Sequence, residues 1–461
     1  MKYLIHIILN CIPIIFFGQN LENLAGSFES NSQLYINDKD IGGFNEDNSF
    51  RSNNYLNIDY YLKSFSATIK FESYAPQALL NYSPSLNKPF GVAGVSLKYQ
   101  TKSLTLTLGN FYDQFGSGLI FRSFEDRQQG IDNSIRGLRI HYQPNNLLFT
   151  SFIGKQRIDF NLSEGIIFGV NSEIDLRSVT NKNISFGLSL VGRKQKIPKK
   201  TNSNLNEITN MVSGRINYSN NYFYSKIEYV FKSDDALVEF EEIIEDRLFN
   251  GNALLINLGY FKNQLGFDAS FRRLENMAIY ADREAYQNEY NDQIINYSPS
   301  LTKQHHFSLS NIYVYQSQPQ LTFIPFGKSG EIGAQLDLFY NFKKDSFLGG
   351  KYGSQLTINY SQWNRLKATY DLENRTYQSD YIKFGDKNFS DFNIEFNKKW
   401  SKKIHSIFTI MHIFYDKEYL EEKVGKINAT VIATELKYNF NREKSSRLQL
   451  QHLWTNEDKK N

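Results

Sequence analysis

The stretch Leu104 to Tyr142, LTLTLGNFYDQFGSGLIFRSFEDRQQGIDNSIRGLRIHY, decides how the rest of the chain is read. It opens with Leu104-Thr105-Leu106-Thr107-Leu108, where apolar and polar residues alternate with period two. A glycine-containing run, Phe111 to Gly118, leads to the charged residues Arg122, Glu125, Asp126 and Arg127. The chain returns through Ile135 to Tyr142. There Leu138, Ile140 and Tyr142 share one face of a strand, and Arg139 and His141 share the other. A strand with one greasy and one charged face does not fit the centre of a water-soluble core. It fits a wall with hydrocarbon on one side and water on the other.

The same alternation recurs. Leu56, Ile58, Tyr60 and Leu62 alternate with Asn57, Asp59 and Tyr61; Phe65, Ala67, Ile69 and Phe71 alternate with Ser66, Thr68, Lys70 and Glu72. Ile184 to Leu190, Ile332 to Phe342 and Phe392 to Phe396 follow the rule. Each segment is long enough for a tilted membrane strand, which needs about 9–11 residues. The connections alternate as well. Short turns are expected near Lys63-Ser64, Thr101 to Ser103, Gln143 to Asn146, Thr180 to Asn183, Ser219 to Asn221 and Lys262 to Gln264. Longer loops are expected at 37–49, 75–90, 112–134, 194–207, 233–250 and 276–305. Short periplasmic turns and long external loops are the habit of outer-membrane barrels. The expected fold is all-β, a large antiparallel transmembrane β-barrel of about 20 or more strands, with 317–329 either a short extra strand or an inward loop.

The N-terminus supplies the address. Met1-Lys2 carries a positive charge and Tyr3 to Phe17 is almost wholly apolar, the pattern of a secretory signal peptide. Residues 1–18 are read as the signal, cleaved between Gly18 and Gln19, and 19–461 as the barrel, its N-terminus periplasmic. The single cysteine, Cys11, leaves with the signal, so the remaining chain has no disulfide or thiolate metal site. The last clear strand, Ser446 to Leu453, runs outward, and a barrel with both ends periplasmic needs a return. The expectation is therefore that the chain is C-terminally truncated; a native stop codon after Asn461 at the locus would refute this.

With 30 Tyr and 37 Phe the chain has aromatics to spare for interfacial girdles. Tyr60-Tyr61, Phe111-Tyr112, Tyr222-Phe223-Tyr224, Tyr313, Tyr315 and Phe414-Tyr415 are the candidates. The net charge of +4 gives no field that would draw nucleic acid.

The run Gly109 to Gln128 with Ile135 to Arg139 resembles an uncharacterised family of Gram-negative outer-membrane proteins, a domain of unknown function. Gly26 to Gln33, Arg51 to Leu56 and Gly154 to Arg157 are similar too. The resemblance spans the chain after the signal. It implies an outer-membrane barrel whose chain continues past this one's end, and it implies no activity.

The candidate site is a pore constriction built from Arg122, Glu125, Asp126, Arg127, Arg136 and Arg139. Opposed charges on an inward-folded loop would select polar solutes by charge and orientation. The alternative is a solvated loop with weak surface pairs. Phe115, Leu119, Ile120, Phe121 and Phe124 make the loop too apolar for that, and the inward reading is preferred.

Other chemistry is thin. His305-His306 are adjacent and His405 and His412 fall on opposite faces of one strand, so neither pair chelates a metal. The acidic groups Glu239-Glu241-Glu242-Glu245-Asp246 and Glu418-Glu421-Glu422 lack calcium-loop spacing and are read as solvated loop faces, as is the basic run Lys194, Lys196, Lys199, Lys200. No nucleophile elbow or phosphate loop is present, so no enzyme and no cofactor are expected, and a rim enzyme stays in reserve. The preferred function is a porin-like passive channel for small hydrophilic solutes. The alternative is a non-conducting barrel subunit of an outer-membrane secretion or surface-assembly complex, its external loops meeting protein partners.

Overall fold

A computed structural model describes residues 22–37, 49–79, 89–197, 205–240, 242–284 and 295–458. The signal, Lys199-Lys200 and Glu241 lie outside the described residues. Alternation and β-branched or aromatic content put most of the chain into strands: β1 (Leu24–Leu34), β2 (Phe50–Leu62), β3 (Phe65–Ser73), β4 (Phe90–Gln100) and β5 (Leu104–Phe111). Four two-residue strands, β6 to β9, lie between Gln114 and Asp132. Then follow β10 (Ile135–Tyr142), β11 (Leu147–Ile158), β12 (Asn161–Asp175), β13 (Asn183–Lys194), β14 (Ile208–Ser219), β15 (Phe223–Glu239), β16 (Glu242–Lys262) and β17 (Leu265–Glu275). The last are β18 (Gly330–Phe342), β19 (Ser354–Asp371), β20 (Thr376–Lys399), β21 (Ile404–Asp416), β22 (Lys426–Asn439) and β23 (Ser445–Asp458).

Nineteen strands join in one sheet. Each pairs antiparallel with the next in sequence, and β5 pairs β10 across the inserted 112–134 segment. This is the up-and-down meander of a transmembrane barrel. The sheet is strongly curved. Arg157 on β11 grips Glu72 on β3 at 2.6 Å, although β4, β5 and β10 lie between. In a flat sheet four strand spacings would separate them by roughly 19 Å.

The outer face is apolar and open. Leu97, Leu108, Leu138 and Ile153 stand in register across four strands, from 45% to 60% exposed. Val170, Leu190, Val212 and Phe231 continue the band across β12 to β15. Such a surface demands lipid as its solvent. On the short-turn side the band ends in exposed rings, among them Tyr60, Phe65, Tyr142, Tyr222, Tyr340, Trp400 and Tyr438. Three girdle candidates turn out otherwise: Phe111, Tyr315 and Tyr415 are buried inside.

Most residues of the expected loops 37–49, 75–90 and 194–207 lie outside the described residues; elsewhere the turn and loop alternation holds with two corrections. Residues 233–250 are not a loop. β15 and β16 run on to a tight turn at Phe240, because Ala236 to Glu239 pair with Glu242 to Leu248. Glu239 is accordingly buried, bound to Arg375 at 2.9 Å and to the Phe323 amide at 2.9 Å, rather than on a solvated face. The loop expected at 276–305 extends to Ser329, and its described residues, 276–284 and 295–329, turn inward. Segment 317–329 joins no strand of the sheet and makes one isolated bridge, Thr322 to Lys328.

Candidate functional site

Two inserted segments, 112–134 and the described residues 276–284 and 295–329, lie against the inner wall. Apolar packing brings the first one in. Phe115, Leu119, Ile120 and Phe121, each at most 2% exposed, pack on Phe152, Ile167, Val191, Met211 and Val230 of β11 to β15. Those wall residues occupy the phase opposite the lipid band. The second segment covers the other half: Phe307 and Tyr315 pack on Trp363, Phe389, Met411 and Ile413 of β19 to β21. The two segments meet where Tyr297 donates its amide to the Gly118 carbonyl at 2.9 Å and Arg122 donates to Ile295 at 3.2 Å.

Glycines draw the wall strands together beside the first segment. Gly109, Gly137 and Gly154 stand side by side on β5, β10 and β11. A Cβ on Gly137 would sit 2.0 Å from the Ile153 carbonyl oxygen and 2.5 Å from the Gly154 Cα, and Gly109 has φ +103°. The three strands approach too closely there for any side chain.

The six expected constriction residues fall into two groups. Glu125 binds Lys70 at 2.9 Å and Arg127 at 2.7 Å. Arg127 also pairs with Glu29 of β1 and lies 4.2 Å over the Tyr55 ring. Arg122, Asp126, Arg136 and Arg139 stand apart from that cluster. Arg122 stacks over Phe124 and Tyr297, 4.7 and 4.1 Å from their centroids. Asp126 accepts the amides of Gln128 and Gln129. Arg136 donates to Asn110 at 3.0 Å, and Arg139 pairs with Asp113 at 2.5 Å.

The centre of the cluster is Lys70, whose Nζ lies 3.0, 2.9 and 2.8 Å from Glu72, Glu125 and Asp132. These carboxylates come within 4.8 Å of one another, close enough to hold a metal ion, but the ammonium already sits among them. Arg157 closes the far side with a two-pronged grip on Glu72, at 3.1 and 2.6 Å, and a further bond to Asp132. Burial alone would raise the Asp132 pKa; Arg157 and Lys70 hold its carboxyl below the usual range instead. The field of this loop is thus largely spent on internal pairs.

Sequence reasoning reached Lys70 and Glu72 as inward residues and missed Arg157, Asp132 and Glu29 as partners. Strict alternation assigns Arg157 to the Ile153 face. A register shift between Lys155 and Arg157 re-aims it inward, with 3% exposure. The second inserted segment was reached only in part: 276–305 was expected as an external loop, and 317–329 as either a short extra strand or an inward loop. Its one signal was its length, since long loops without strands are uncommon unless they cap or line something.

Fold and site together define a transmembrane β-barrel whose lumen is lined by two infolded segments. The chain belongs to a family of unknown function (DUF6029), whose model matches residues 1–461. No curated protein matches it. Solved structures with a similar trace include the outer membrane protein opdK from Pseudomonas aeruginosa, 10% identical, covering 94% of this chain and 97% of that one, TM-score 0.41. OccK5 (OpdH) from the same organism is 10% identical over 95% and 99%, TM-score 0.42. A BenF-like porin from Pseudomonas fluorescens Pf-5 is 11% identical over 94% and 97%, TM-score 0.41. Likeness at this level assigns neither a solute nor a residue role.

Proposed function

We propose that this chain is an outer-membrane barrel, its N-terminus periplasmic after signal cleavage, that passes small hydrophilic solutes passively through a lumen narrowed by the 112–134 segment. The observation behind this reading is the split between the two faces of one sheet. The outer face carries a continuous exposed apolar band, and the inner face carries Lys70, Glu72, Arg157, Asp337 and Asn393. A lumen with polar walls and a charged, fixed inner segment is what a solute filter needs. Arg122, Glu125, Asp126, Arg127, Arg136 and Arg139 are proposed as its narrow part.

Planar-bilayer recording tests it. The purified protein should give discrete ion-conducting steps. Arg127→Ala, which frees Glu29 and Glu125 from their shared partner, should shift selectivity toward cations. Arg122→Ala beside it removes a cation that stacks on rings and, among the described residues, pairs with no acid. Absence of any conductance from inserted protein would refute the channel.

The second reading, a non-conducting subunit of an outer-membrane assembly, draws on a specific feature. Patches of the inner wall, Phe152, Ile167, Val191, Met211 and Val230 on β11 to β15 and Trp363, Phe389, Met411 and Val431 on β19 to β22, are apolar and sealed under the two segments. Crosslinking in intact cells separates the readings: a stoichiometric protein partner together with silent bilayers supports this one.

A further inference from the structure

The short-turn rim of the wall is unevenly charged. The turn from β18 to β19 carries Lys343, Lys344 and Lys351, the turn from β20 to β21 carries Lys402 and Lys403, and the turn from β22 to β23 carries Arg442 and Lys444. The other short turns, 63–64, 101–103, 143–146, 176–182, 220–222 and 263–264, together hold Lys63, Lys102, Arg177 and Lys182. β19 pairs with β20 and β21 with β22, so the three basic turns stand side by side, two strand spacings or roughly 10 Å apart. Lys398, at the end of β20, links the first to the second: its Cε lies 3.9 Å from where a Gly350 Cβ would sit. Asp345 and Glu443 are the acids in these turns, so the sector carries +6, more than the +4 of the whole chain.

Among the described residues none of these eight cations pairs with a carboxylate; the ion pairs nearest this rim, from His306 and Arg447, go to Glu435 on the inner face. Each turn also exposes a large ring: Phe347 at 98%, Trp400 at 57% and Phe440 at 57%. Cations and rings lie at one level. Lys398 Nζ stands 4.5 Å from the Trp400 ring centroid, and Lys403 Nζ stands 5.9 Å from that of Tyr438. Trp400 and Tyr438 are among the rings that end the lipid band, and such rings settle at headgroup depth. The ammonium groups stacked on them are therefore held at that depth as well. Free cations beside exposed rings, at the edge of a hydrocarbon-facing wall, fit a partner that is anionic at its surface and apolar beneath. An acidic soluble protein would answer the lysines and leave the rings at the end of the lipid band unused.

We propose that this sector of the rim, the turns of β18–β19, β20–β21 and β22–β23, is a binding surface for anionic phospholipid, its lysines meeting the headgroup phosphates and Phe347, Trp400 and Phe440 seated among the glycerol and upper acyl groups. The proposal rests on the function proposed above in one respect: the short turns face the periplasm, where phospholipid rather than lipopolysaccharide forms the leaflet. It does not require conduction.

The test is quenching of Trp400 fluorescence by brominated lipid. The chain has three tryptophans; Trp363 is buried inside the wall, and Trp454→Phe removes the other exposed one. The full chain with that change is folded into phosphatidylcholine vesicles, and dibrominated phosphatidylglycerol or dibrominated phosphatidylcholine is titrated in. Phosphatidylglycerol should reach Trp400 with a binding constant at least about fivefold that of phosphatidylcholine, the effect of one basic residue at a charged surface. Adding Lys398→Gln, Lys402→Gln and Lys403→Gln should bring the ratio to within about twofold of one. Lys63→Gln with Lys102→Gln, on the sparsely charged turns, should leave it unchanged. High salt should lower the ratio without any substitution, which keeps the test decisive even where the triple variant does not fold. Equal quenching by the two lipids in protein of folded, heat-modifiable mobility overturns the site, as does a preference that survives the triple substitution or high salt. A photocrosslinker at Phe347 that captures a stoichiometric protein or lipopolysaccharide in intact cells, in place of phospholipid, overturns it too. Conductance without a phosphatidylglycerol preference overturns the site and leaves the channel standing. The preference without conductance keeps the site and removes the channel.

Discussion

Replacing Lys70 by Met keeps the volume of the side chain and removes the cation at the centre of the inner cluster. Glu72, Glu125 and Asp132 are then left to Arg157 and Arg127, three anions against two cations. Breaking a buried ion pair by deleting one partner costs about 3–5 kcal/mol. The apolar anchors of the same segment set the scale for comparison. Burying Phe115, Leu119, Ile120 and Phe121 contributes about 1.5–3 kcal/mol each, so about 6–12 kcal/mol together. The electrostatic loss is smaller than the apolar grip. The segment should therefore stay docked at Phe115 to Phe121 and come loose where Glu125 and Asp132 hold it. Amide hydrogen exchange reads both halves at once. In Lys70→Met the amides of Glu125 to Asn133 should lose roughly two to three and a half powers of ten in protection. Those of Leu119 to Phe121 should change less than about tenfold. Lys70→Arg should retain protection throughout. Equal loss across both halves would show that the cluster, not the apolar anchor, seats the segment; no loss anywhere would show that Lys70 holds nothing.

Further outcomes follow from the same geometry. In the wild type the depressed Asp132 pKa means that its contribution is complete above the ordinary aspartate value of about 3.9 and is lost as pH falls through the folded value; exchange protection at Glu125 to Asn133 should thus be flat from pH 5 to 8 and drop only in strong acid. Ile153→Arg, at mid-strand on the lipid band, should cost about 2–4 kcal/mol in urea unfolding from vesicles, whereas Asn57→Arg on the inner face should stay within about 0.5 kcal/mol. Gly137→Ala forces a Cβ onto the neighbouring backbone and should reduce the folded, heat-modifiable fraction. Gly214→Ala, whose nearest contact would be Leu188 Cδ2 at 4.0 Å, should leave that fraction unchanged.

The fold was legible because its cause is local. A strand that faces lipid and water in turn writes period two into the chain. Leu104 to Leu108 and Leu138 to Tyr142 carried that pattern and stand in register, Leu108 against Leu138 and Leu104 against Tyr142. Turn positions such as Lys63 and Asn263 were legible for the same reason, as left-handed residues between periodic runs. The inward fall of 112–134 could be argued from its apolar residues. What those residues and charges would meet could not. Glu72 and Arg157 are 85 residues apart and are joined by the curvature of the sheet and by a bulge that turns Arg157 against its own alternation. The second segment meets β19 to β22 only because the wall curves round it. Alternation depends on neighbours two residues apart, so one strand suffices to reveal it; a lumen depends on which distant surfaces come face to face, and that is decided by the curvature of the whole wall.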